Sequence, residues 1–271
     1  MESFFLQYRS STIHYSKAGN GSKLLFCFHG YSQSALSFSF LEKELSADFI
    51  MIAIDFPFHG KTIWKEGLTF KPEMLLEILT QIKTSLPIKI EKLSLMGFSM
   101  GGRAALSLMP AMAKQMEKMV LIAPDGLKLN FWYWLATQNK LGNHFFKYIM
   151  QQPTPMFKVL QLLNKMGMVN QSIYKFISFY IYDKQVRDDL YKRWSTMRKF
   201  RPHIKKIKSL IYENQIPIRM LYGEHDRIIR YERAEKFRKG IEAYSELKII
   251  PSGHLLLTEA NAAIIKDLLK N

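Results

Sequence analysis

Leu93-Ser94-Leu95-Met96-Gly97-Phe98-Ser99-Met100-Gly101 is the stretch that decides the fold. Its first four residues form a short apolar run of the kind that becomes a strand, and from Gly101 to Met109 apolar residues recur at helical spacing, with a continuation towards Gln115. Between them stands Gly-x-Ser-x-Gly, a strand-to-helix turn so tight that side chains flanking the serine would clash, which accounts for glycine at 97 and 101. A serine hydroxyl is a poor nucleophile at neutral pH and needs a base in hydrogen-bond reach and donors for the oxyanion it creates. The turn supplies that geometry, and Ser99 is the candidate nucleophile.

Outward from this turn the same rhythm repeats. Strand-like runs at Leu24 to Phe28, Phe49 to Ile54, Met119 to Ala123, Ile218 to Tyr222 and Leu247 to Ile250 join Leu93 to Met96, and a hairpin of Phe4 to Tyr8 with Thr12 to Tyr15 brings the total to eight. Helical segments are expected at Ser34 to Leu45, Pro72 to Ser85, Ala234 to Ile241 and Glu259 to Leu269. Short strands alternating with helices predict an α/β architecture built on a mostly parallel sheet. From Leu127 to Asn214 the strand rhythm stops, and this stretch reads as a mainly helical insertion between strands 6 and 7, leaving 1–126 and 215–271 as the core.

At this point the chain resembles the α/β-hydrolase fold superfamily, and the resemblance covers nearly its full length. Phe28-His29-Gly30-Tyr31 is similar to that family's His-Gly-x oxyanion loop, which implies the backbone N–H groups of Tyr31 and Met100 as the oxyanion hole. Asp55-Phe56-Pro57-Phe58-His59-Gly60 matches the family's Asp-x-Pro-Gly-His-Gly segment except that Phe58 replaces a glycine, and His29 and His59 read as loop-stabilising. The family's chain order of serine, acid, base implies Asp226, in Gly223-Glu224-His225-Asp226, as the acid and His254, after Pro251-Ser252-Gly253, as the base. His225 and Asp125 are rivals for these roles; Asp226 is preferred because Gly223 and Asp226 reproduce the commoner spacing.

The resemblance implies a serine hydrolase that cleaves an acyl ester or thioester through an acyl-enzyme. Two other classes remain open. Gly97 to Arg103 also resembles the nucleophile segment of a menaquinone-pathway lyase that uses the same triad as a base and an arginine four residues after the serine, here Arg103, to hold carboxylates. Some members of the fold are non-catalytic binding proteins, although all three triad positions are filled here. Serine at 99 argues against epoxide hydrolases and haloalkane dehalogenases, whose nucleophile is aspartate. No cofactor is expected, and no His-x-x-x-His or paired-cysteine spacing suggests a metal.

The formal net charge of +16 is regional: residues 127–214 hold 16 Lys and Arg against 4 Asp and Glu. By resemblance the insertion is a lid, with Trp132 and Trp134 in Phe131-Trp132-Tyr133-Trp134 as walls of an acyl pocket and the densest basic stretch at Lys184 to Lys208. An acidic carrier protein or an anionic membrane surface are the candidate partners, and nucleic acid is not expected because no recognised module is present. The N-terminus lacks the basic and apolar regions of a signal peptide, and the lone cysteine, Cys27, sits in an apolar run as a core residue. A cytoplasmic location is the expectation.

Overall fold

The computed structural model describes residues 1–128, 131–167, 174 and 182–270. The chain forms two compact units, Met1–Glu66, Phe70–Lys128 and Lys199–Asn271 in the first and Gly67–Thr69 with Leu129–Arg198 in the second.

The first unit is built on one eight-stranded sheet. Its strands are β1 (Glu2–Tyr8), β2 (Ser11–Ala18), β3 (Lys23–Phe28), β4 (Phe49–Ile54), β5 (Leu93–Phe98), β6 (Met116–Ile122), β7 (Ile218–Gly223) and β8 (Ser245–Ile250), in spatial order β1-β2-β4-β3-β5-β6-β7-β8. The first two pairings, β1 with β2 and β2 with β4, are antiparallel and the rest parallel. All eight expected strands are present. Every residue of β4 and β5 is buried, as parallel strands covered on both faces require, which is why they read as unbroken apolar runs.

The helices of this unit follow from which residues must face the sheet. Between β3 and β4 the expected helix opens instead as 3₁₀ turns over Ala35–Leu41 before a short α1 (Glu42–Leu45). The spacing agrees with this: Ala35, Phe38 and Leu41 are all fully buried, and a three-residue repeat stacks residues so spaced directly above one another on one face. They pack on the sheet beside Leu25, Cys27, Met51, Met96 and Val120, together with Ile265 and Leu268 of the last helix. Burial within this core pushes the Cys27 thiol far above its usual range, which leaves it unreactive. Helix α2 (Pro72–Thr84) begins with proline at its first turn, where no donor is lost, and buries Leu75, Ile78, Leu79 and Ile82. Helix α3 (Met100–Met112) starts at the residue after Ser99 and packs on β5 and α2.

The regular structure described in the second unit is helical: α4 (Phe131–Thr137), α5 (Lys140–Gln151), α6 (Thr154–Lys165) and α7 (Lys184–Thr196). The side chains of Asn139 and Asp183 cap α5 and α7 by accepting from Gly142 N and Val186 N, each at 2.9 Å. Trp194 of α7 lies 5.3 Å from the Tyr133 ring and 5.7 Å from that of Phe146, and Arg187 of the same helix is buried with its Nε donating to the Met150 carbonyl at 2.9 Å. No described helix is long and apolar enough to cross a membrane.

The insertion expected over 127–214 differs from this unit at its C-terminal end. Helix α8 (Ile204–Asn214) belongs to the first unit, where it packs against α3 with Ile207 and Ile211 fully buried. Its lysines continue the basic composition of the insertion, while its apolar face is core. The first unit closes with α9 (Glu232–Arg238) and α10 (Ala262–Lys270).

Candidate active site

Ser99 sits at the N-cap of α3 with φ 50° and ψ −115°, a left-handed backbone that a residue with a side chain adopts only under strain. The strain is held by hydrogen bonds on both sides of the residue. Its N–H donates to the Ile122 carbonyl at 3.0 Å, and its carbonyl accepts from Gly102 N at 2.9 Å and from Asp125 N at 2.8 Å. Next to it the chain passes so close to the loop after β3 that a Cβ on Gly101 would lie 1.9 Å from the Phe28 carbonyl oxygen. Only glycine allows that approach.

His254 and Asp226 converge on this serine from the loops after β8 and β7. His254 Nε2 is 3.1 Å from Ser99 Oγ and its Nδ1 is 2.7 Å from Asp226 Oδ2. The two loops are zipped by Glu224 N to the Ile250 carbonyl at 2.8 Å and His225 N to the Ser252 carbonyl at 2.9 Å. Gly223 permits the zip, since a Cβ there would fall 2.3 Å from the Gly253 carbonyl oxygen. The Asp226 side chain is fully buried, and its second oxygen, Oδ1, accepts from Ile228 N at 2.8 Å and Ile229 N at 2.9 Å. A carboxylate so placed accepts only, so Nδ1 of His254 carries the proton and Nε2 presents its lone pair to the Ser99 hydroxyl.

The rivals are occupied elsewhere. Asp125 Oδ1 accepts from Gly126 N at 2.8 Å and its Oδ2 lies 3.5 Å from Arg103 Nη1, so it closes the loop after β6 and pairs with the helix arginine. Arg103, expected to face a substrate, is 3% exposed and forms that pair inside the first unit. His225 is exposed. A surface depression is lined by Glu224, His225, Asp226, Arg227 and Arg230; as it includes neither Ser99 nor His254, it is not where those groups act. Trp134 is 40% exposed within the second unit, and the side chain of Trp132 lies outside the described residues.

The loop that carries Tyr31 is braced from several directions. Gly30 N donates to Gln33 Oε1 at 3.0 Å, and buried His29 donates from Nδ1 to the Gly30 carbonyl at 2.7 Å while its Nε2 accepts from Phe56 N at 3.1 Å. His59 Nδ1 is 2.9 Å from the Pro57 carbonyl oxygen, and its ring meets Tyr31 edge-on at 6.1 Å. Phe58, in place of the family's glycine, keeps the left-handed backbone with φ 62°.

Sequence reasoning missed His14. This residue of β2 is 1% exposed, with Nδ1 at 2.6 Å from Asp55 Oδ2 and Nε2 at 3.1 Å from Ser3 Oγ. Asp55 is a buried hub that also accepts from Ala35 N at 2.6 Å and Lys61 N at 2.7 Å, tying the start of the 3₁₀ turns to the segment after β4. The Ser3, His14, Asp55 row has nearly the distances of the one at Ser99. Ser3, however, lies exposed within extended strand β1, with no helix start to supply amide donors. No local pattern could have revealed the row, because the His14 to Asp55 contact spans 41 residues.

Comparison with known proteins agrees with the fold. The family model described as serine aminopeptidase, S33 matches residues 19–261. Hydrolase YugF of Bacillus subtilis (strain 168), itself uncharacterised, is 23% identical over 262 residues, covering 95% of this chain and 93% of its own. A second protein of that strain, provisionally named 2-succinyl-6-hydroxy-2,4-cyclohexadiene-1-carboxylate synthase, is 32% identical over 120 residues, 41% of each chain. Among solved structures, a thermophilic esterase from Thermogutta terrifontis, with malate bound, matches at a TM-score of 0.69 and 15% identity, covering 100% of this chain and 98% of that one.

Proposed function

Because the chain belongs to the serine hydrolase family described as serine aminopeptidase, S33, within the α/β-hydrolase fold, we propose that it cleaves a carboxylic ester or thioester through an acyl-enzyme on Ser99. The observation that carries this reading is the unbroken relay from buried Asp226 through His254 to a strained serine at the start of a helix. His254 takes the hydroxyl proton as Ser99 Oγ bonds to the acyl carbon, and Asp226 holds the imidazole in its tautomer and stabilises its charged form. The negative oxygen of the tetrahedral intermediate is met by backbone N–H groups. Met100 offers the first amide of α3, which has no acceptor within its helix, and Tyr31 offers the braced loop that Gly101 approaches. His254 then returns the proton to the departing alkoxide or thiolate, and water, activated by the same imidazole, releases the acid.

A fluorophosphonate probe tests the assignment directly. The folded protein is expected to gain one adduct, on the peptide containing Ser99, and a folded sample that stays unlabelled would remove the reading. A second reading, elimination of pyruvate with the triad as base, is favoured by the 32% identity to the provisionally named synthase. It ranks behind hydrolysis because Arg103, which would have to hold a carboxylate, is buried and paired with Asp125. An assay for pyruvate release from that synthase's substrate is expected to stay at background while esters turn over.

A further inference from the structure

Part of the charge in the basic stretch expected at Lys184 to Lys208 is held by neighbouring groups. Arg187 is buried on the Met150 carbonyl, Arg193 pairs with Asp189 at 3.0 Å, and Lys208 donates to the Lys239 carbonyl at 2.7 Å. Residues 131–167, by contrast, hold four lysines and no Asp or Glu.

The same segment turns large apolar side chains to solvent in a regular way. On α5, Leu141 is 83% exposed, Phe145 64% and Tyr148 52%; steps of four and three put them on one helix face, while Ile149 and Met150 face inward. On α6 and its cap, Val159, Leu162 and Met166 repeat the pattern with exposures of 56%, 58% and 61%, opposite buried Leu160. Phe131 and Trp134 of α4, stacked at 6.2 Å, are also exposed. Each lysine, Lys140, Lys147, Lys158 and Lys165, is exposed and stands one residue before an outward apolar residue, so it flanks the stripe.

We infer that helices α5 and α6 form a membrane-docking surface for a bilayer containing anionic lipid. Apolar residues of this size, set in a helix face edged by lysines, insert at the headgroup boundary while the ammonium groups reach phosphates along their flexible stems. With no helix fit to cross a bilayer among the described residues, the contact lies in the plane of the interface. A second copy of the chain is the poorer occupant, because the segment has no carboxylate to meet its own lysines and two such faces would repel.

The test is sedimentation of the full chain, as native protein and as Ser99→Ala, with vesicles of phosphatidylcholine alone or with about 30% phosphatidylglycerol, a surface that attracts each nearby lysine. Both proteins are expected to pellet at least about tenfold more with the anionic vesicles, and their agreement separates docking from the chemistry at Ser99. Reversing Lys140, Lys147, Lys158 and Lys165 to glutamate is expected to weaken binding more than about a hundredfold, at about fivefold per lysine. Leu141→Ser with Phe145→Ser and Leu162→Ser is expected to abolish it with the helical circular dichroism retained. Equal pelleting with neutral vesicles, no pelleting, or a dimer dissolved by the serine variant would each overturn the inference.

Discussion

Ser99→Ala is expected to lower kcat for a nitrophenyl acyl ester by about 10⁵-fold or more, to the level of the oxyanion hole and binding alone. His254→Ala should lose as much, and the double variant no more than either, because Oγ and Nε2 at 3.1 Å act as one unit. Asp226→Asn should cost about 10³- to 10⁴-fold, since an amide in place of the buried carboxylate no longer fixes Nδ1 as the donor. Asp125→Asn is the discriminating control. Its carboxylate serves Gly126 N and Arg103, so kcat should stay within about tenfold of native, the loop's hold on the Ser99 carbonyl coming from the Asp125 backbone. Steady-state kinetics on the five purified variants decide it. Should Asp125→Asn prove the more damaging of the two aspartate changes, the acid has been misassigned.

The largest expected loss of stability is at Asp55. Its carboxylate accepts from Ala35 N, Lys61 N and His14 Nδ1 at a site 1% exposed, and Asp55→Ala leaves these buried donors without their acceptor. A loss of about 3–5 kcal/mol is expected, the range for breaking a buried charged contact by removing one side of it. The midpoint of urea unfolding, with the slope checked for constancy, measures it. Ser3→Ala should change the unfolding free energy by under about 0.5 kcal/mol, since that residue is exposed. A native midpoint in Asp55→Ala would mean that the hub adds nothing to the fold.

Much of this molecule was legible in its sequence because the parallel sheet writes itself in unbroken apolar runs. Phe49 to Ile54 is apolar and buried at every position, as a strand covered on both faces requires. What the pattern concealed were cases in which two structures share one composition. Residues 199–214 look like a continuation of the basic insertion, yet Ile207 and Ile211, four apart, place their helix on α3. The segment from Ala35 to Leu41 has helical composition, but its buried residues recur every third position rather than at 3.6. The site divides in the same way. Gly97 to Gly101 announces the turn locally, whereas the meeting of Ser99 with His254 spans 155 residues and was reached only through the family's chain order. His14 had no such guide.

The row from Ser3 through His14 to Asp55 carries a lesson for recognising enzymes by coordinates. A template of three side chains, tuned to a carboxylate, an imidazole and a hydroxyl at hydrogen-bond distances, would return this chain twice, with 2.6 and 3.1 Å at one place and 2.7 and 3.1 Å at the other. Side-chain distances alone cannot rank the two hits. The backbone does: one hydroxyl is carried at φ 50° in front of a helix, the other on the extended backbone near the start of a strand. A search pattern that scores the torsion of the nucleophile, and the amides ahead of it, would keep the first and discard the second.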